Sequence, residues 1–374
     1  MEFLLVLMAV AMFGWVAATL VRGRGGLRAG RGLGAGRSGG APVDPAAAYG
    51  FVPAEQLDIR LPGPDPQLAE VLDEVMSDHD WHPAARLLAL TGSGEWELRW
   101  QRVQTLAGAA AYELAQRPGE GGAWLRTWRA EAPKDAGGAE VFAEFLIRQA
   151  WLSGPEAADY KIILEEARKV ADEAKLLSPG SPIPYIIELA VARGLPYRQA
   201  DFEELWAQTE SRAPEHMGAH LAALLYACEK WHGSRDVAYD FAERAAGSAP
   251  EGSLLPALPL FAVYEHLPEA NMVQGLYQSA VVEQAIAGAM YAVSHAPADH
   301  PMLPHVRHLL LWFLVRAERY DEALEQVRHV DGHVGAVPWS YGENPAGEYA
   351  GYRALAIAGH EGGRGMPTTK DSLP

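Results

Sequence analysis

The chain has 374 residues, 49% of them hydrophobic, with a single cysteine and a formal net charge of -17. That much apolar material can bury at least one large core, while a lone cysteine excludes an internal disulfide framework. From position 51 onward 26 basic residues stand against 46 acidic ones, and a domain so acidic repels phosphate backbones, which argues against nucleic acid as a partner.

The first predicted element is a membrane anchor. Phe3 to Val21 are nineteen consecutive residues without a charge. As a helix they span about 28 Å, close to the thickness of a bilayer's hydrocarbon core. A cleaved secretory signal would begin with basic residues, whereas only Glu2 precedes this run and the nearby positive charge follows it. Arg22, Arg24, Arg28, Arg31 and Arg37 lie just beyond the apolar stretch, among nine glycines between Arg22 and Gly40. Positive charge next to a membrane helix marks the cytoplasmic side, so the expectation is a single-pass cell membrane protein, 1–21 spanning and the C-terminal domain cytoplasmic. A Gly/Arg/Pro-rich flexible linker is expected over 22–63, since such a composition cannot offset its ordering entropy by burial.

Beyond the linker the pattern is all-α. Ala- and Leu-rich segments, with Gly, Pro, Ser and Asp punctuation every twelve to twenty residues, predict an N-terminal helical region over 64–153 and a hairpin array over 154–360. A disordered tail is expected over 361–374. Val141, Phe142, Phe145, Leu146 and Trp151 form one apolar stripe. Tyr160, Ile163, Leu164, Ala167, Val170, Ala171, Ala174 and Leu177 form a second, and Met217, Leu221, Leu224, Leu225 and Cys228 a third. A helix with one apolar face needs a neighbour to cover it.

Helix ends recur. Ser178-Pro179, Ala213-Pro214 and Ala249-Pro250 are 35 and 36 residues apart, and Ala296-Pro297 follows after a longer interval. Ala167, Ala174 and Pro179 repeat as Ala238, Ala245 and Pro250, with Leu189, Ala190, Trp206 and Pro214 in a unit between them. Over roughly 155–330 the chain thus resembles the tetratricopeptide repeat family, whose helix-turn-helix unit carries small residues at helix contacts and a proline after its second helix. Arg319-Tyr320-Asp321-Glu322-Ala323-Leu324 is similar to the start of such a second helix. The resemblance implies stacked antiparallel helical hairpins, an α-solenoid, whose first helices line a concave face. His220 and Lys230 would lie on that face.

Lys230-Trp231-His232-Gly233-Ser234 reads as the turn between two helices of one unit. Gly233 suits a left-handed position, Ser234 suits a helix N-cap, and Trp231 closes the hairpin or offers a ligand-facing spot beside Lys230. His220, Lys230 and Trp231 are therefore the candidate partner-binding residues. His295, His300, His305 and His308 cluster in sequence, but Pro301 and Pro304 interrupt them and no zinc spacing is matched, so they read as solvated turn residues. Cys228 falls on an apolar stripe and reads as a small buried hydrophobe. No nucleophile, phosphate loop or cofactor motif emerges, so neither catalytic residues, nor a metal, nor a cofactor is assigned. The function expected is a membrane-tethered scaffold binding a protein partner. The alternatives are an enzyme, metal-dependent through the 295–308 region or otherwise, with its pocket in the array, and a structural subunit of a membrane-associated assembly.

Overall fold

The computed structural model describes residues 45–268 and 275–364; the expected anchor and the arginine-bearing part of the linker lie outside them. Among the described residues no strand forms, and one isolated bridge pairs Asp58 with His333. The rest is helix joined by short turns, an all-α fold compatible with a helical repeat array. None of these helices is long and apolar enough to cross a membrane.

Local chemistry sets several helix starts. In α1 (Pro66–Asp78) the Asp65 carboxylate accepts the Leu68 N–H at 3.0 Å, and Pro66 occupies the first turn, where its missing N–H costs nothing. After α2 (His82–Leu90), α3 (Trp96–Gln116) and α4 (Ala123–Glu131), Asp135 caps α5 (Ala136–Ser153) through the Gly138 N–H at 2.8 Å. The helix α6 (Tyr160–Leu177) buries Tyr160, Leu164, Ala167, Val170, Ala171 and Ala174, the stripe read from sequence, while Leu177 stays exposed. It packs on α5 and on α7 (Ile183–Gly194).

Next come α8 (Gln199–Arg212), α9 (Met217–Ala227) and α10 (Arg235–Gly247). Ser234 caps α10 as expected, accepting the Val237 N–H at 3.2 Å. Gly233 does not hold a positive φ. Its hydrogen is required because a Cβ would collide with the carbonyl of Ala227, so the turn is a close backbone approach instead of a left-handed cap. The chain continues through α11 (Leu258–Glu265), α12 (Ala280–His295), α13 (Leu303–Arg316), α14 (Tyr320–Val330) and α15 (Pro345–Arg364).

Two apolar clusters make up the core, and α9 belongs to both. Ala219, Ala222, Ala223 and Tyr226 pack into the N-terminal cluster; Met217, Leu221, Leu224 and Leu225 pack into the C-terminal one. Every residue of α9 is buried, which the single stripe in the sequence does not convey. Small residues explain it: Gly218 lies so close to α3 that a Cβ would come within 2.6 Å of Trp100. At this joint Glu97, near the start of α3, accepts the Met217 N–H at the start of α9. The His216 Nδ1 accepts the Ala219 N–H at 3.1 Å and so carries no proton, while Glu97 Oε2 lies 3.2 Å from the same nitrogen. Burial pushes the Glu97 carboxyl up to about 8 and the His216 imidazole down to about 3, so an uncharged acid beside an uncharged ring is the stable arrangement.

The end of the expected linker is ordered and packed. Leu57 and Leu61 are buried. The Asp58 N–H donates to Gly332 O at 2.8 Å, Val334 N–H donates to Asp58 O at 2.7 Å, and Gly335 N–H donates to Leu61 O at 2.9 Å. Arg353 bridges Val52 O and Asp331, both at 2.7 Å. His308 is no solvated turn residue: it is fully buried, with Nε2 donating to Pro62 O at 3.0 Å and Nδ1 accepting the Trp339 indole N–H at 2.9 Å. A linker reading of 45–63 fails because alternating apolar residues and backbone groups in that segment find partners far along the chain. At the other end α15 runs to Arg364, past the expected start of the tail.

Candidate functional site

The helices α8 and α10 flank the face of α9 that carries His220, Ala223 and Tyr226. The result is an open groove of 1070 Å³. Aromatic rings furnish much of its surface. Phe202 of α8 stacks on Tyr226 of α9 with centroids 3.6 Å apart, and Trp206 meets Phe241 of α10 edge-on at 5.4 Å. His220 sits between the walls, its ring 4.9 Å from Trp206 and its Nδ1 3.0 Å from His216 O. Burial lowers its pKa, so the ring is neutral and contributes as an aromatic with one polar edge. Glu203, Glu210 and Glu215 line the rim against Arg244, which makes the entrance acidic. Hydrophobic rings thus stand within a charged rim.

Of the three partner-binding candidates, the structure puts only His220 in this groove. Trp231 turns away. It packs edge-on against Trp151 at 5.1 Å and lies 5.7 Å from the Arg193 guanidinium. Lys230 makes an ion pair with Glu265 at the end of α11. Next to them, His232 Nε2 donates to Arg193 O at 3.0 Å and Tyr226 stacks on His232 at 4.6 Å, so the turn joins the groove to the interior. Cys228 is fully buried, its thiol donating to Leu224 O at 3.2 Å, and burial pushes its pKa up to about 12. A thiol so protonated is not a nucleophile.

The histidines of 295–308 do not converge. His295 is exposed and bonds back to Tyr291 O at 2.8 Å, whereas His308 belongs to the core. Among the described residues no group of three or more His, Cys, Asp or Glu side chains could hold a metal ion. Sequence reading missed Phe202 and Phe241 as groove residues. Their aromatic character and their places on α8 and α10 were available, but the spacing of two helices that touch through Trp206 and Phe241 has no signature in periodicity. Comparisons with protein families, with curated proteins and with solved structures each found no match to this chain.

Proposed function

We propose that this protein is a membrane-tethered scaffold of stacked helical hairpins, related in design to tetratricopeptide arrays, that binds a protein partner in the groove between α8 and α10. The observation that carries the reading is an open 1070 Å³ groove with aromatic walls and an acidic rim. Side chains such as Trp206, Phe241 and Phe202 give large contact areas at low entropic cost, and glutamates at the rim select for a basic segment. The partner is thus a protein segment presenting apolar anchors between lysines or arginines. The anchor rests on the nineteen uncharged residues Phe3–Val21, and the five arginines after them put the domain on the cytoplasmic side.

A photocrosslinker at Val237, which is half exposed in the groove wall, tests the partner. It should trap a defined protein in intact cells, and the adduct should disappear when Trp206 and Phe241 are both replaced by serine in a chain that keeps its helical spectrum. The same crosslinker at Leu90, exposed on α2, serves as control. Identical adducts from both positions would refute the groove as the binding surface.

A further inference from the structure

Away from the groove, α5, the C-terminal ends of α7 and α11 and the turn after α9 bring five ionisable side chains together. Glu144 pairs with Arg148 at 3.1 Å, and Glu265 pairs with Lys230. The fifth is Arg193, and no ion pair or side-chain hydrogen bond reaches its guanidinium among the described residues. It is 6% exposed, yet its Nε is buried without a partner. Glu144, Glu265, Tyr160 and Tyr341 all lie within its electrostatic reach. Among the described residues, three cations therefore face two anions, each anion already engaged by another cation.

The surroundings are equally one-sided. The Arg193 guanidinium lies 5.7 Å from each of the Trp151 and Trp231 rings. The Trp231 indole N–H is buried and unbonded. Tyr160 and Tyr341 keep their hydroxyls protonated, because burial raises both pKa values. Besides Glu265 Oε1, the buried polar atoms here without a partner include the donors Arg193 Nε and Trp231 Nε1. A buried guanidinium left unpaired costs several kcal/mol unless something compensates it.

We propose that Arg193 is an anion-binding site that takes the carboxylate of a small organic acid bearing an aromatic or apolar body. The planar fork of a guanidinium matches a carboxylate bidentately, and Trp151 and Trp231, over which the guanidinium lies, make its surroundings apolar. The charge count selects the valence. One unit of positive charge is unmatched, so a monoanion completes the site, while a phosphate dianion would face Glu144 and Glu265 with an excess of its own.

Calorimetric titration of the full chain with benzoate, paired with its melting temperature, tests the assignment. Saturable one-site binding that raises the melting temperature is expected. Arg193→Met should abolish the binding and melt no lower than the parent without ligand, because an unpaired buried charge has been removed. Arg193→Lys, which keeps the charge and loses the fork, should weaken benzoate at least tenfold. Absence of saturable benzoate binding to the parent chain, benzoate binding retained by Arg193→Met, or an Arg193→Met chain melting well below the parent would each overturn the proposal. Inorganic phosphate binding more tightly than benzoate would overturn the choice of a monoanion.

Discussion

Glu97 shows how a single carboxyl can set a pH dependence. In the folded chain it holds its proton up to about 8, against 4.5 when unperturbed, so between those values the folded state binds more protons than the unfolded one. Stability contributed by Glu97 is therefore complete below pH 4.5 and declines as the pH rises towards 8. His216, lowered from 6.5 to about 3, acts oppositely below 6.5, where the unfolded chain takes up the proton first. The two slopes offset each other between pH 4.5 and 6.5, which leaves 6.5 to 8 as the window in which Glu97 is seen alone of the pair. Glu97→Gln keeps an acceptor for Met217 N–H without a titrating proton. Urea unfolding at pH 6.5 and 8 should show a decline for the parent chain that is much reduced in this variant. None of this was legible in the sequence, where Glu97 and His216 are 119 positions apart and each reads as an ordinary polar residue.

At the scale of elements, the sequence was informative wherever one helix face differed from the other. The stripe of α6 and the cap at Ser234 were legible because each depends on neighbours three or four residues away. The burial of α9 was not, since helices surrounded on all sides lose the contrast that periodicity measures. The turn after α9 was legible in part: a glycine was needed at 233, for a reason different from the one its position suggested. This difference is testable. Gly233→Ala should destabilise the protein by about 1–3 kcal/mol, the range for forcing an extra methyl into filled space. Gly233→Asn should do no better, although asparagine tolerates left-handed backbone more readily than other residues. Chemical denaturation of the two variants decides between the accounts, since an asparagine chain close to the parent would restore the left-handed reading. The groove, likewise, follows from the spacing of two helices bridged by Trp206 and Phe241, and no local pattern encodes that spacing.

For the whole molecule, the segment 45–63 ties the start of the described chain to its end. Tyr49 O–H donates to Glu361 at 3.2 Å, and Arg353 reaches Val52 O across 301 positions. A chain beginning at 45 should therefore leave the membrane fraction with its melting temperature unchanged. One beginning at 64 should melt several degrees lower, because it loses the buried Leu57 and Leu61 and leaves Arg353 and His308 without their backbone acceptors. Equal melting temperatures for the two would show that the segment is a passenger. The same tie dictates an order of events on the ribosome. Val52 and Leu57 emerge about 300 residues ahead of Arg353, and at roughly 5–20 residues per second they wait about 15–60 s for their docking surface to be made. The helices between them can fold as they appear, but the first packed segment of this protein is among the last to find its place.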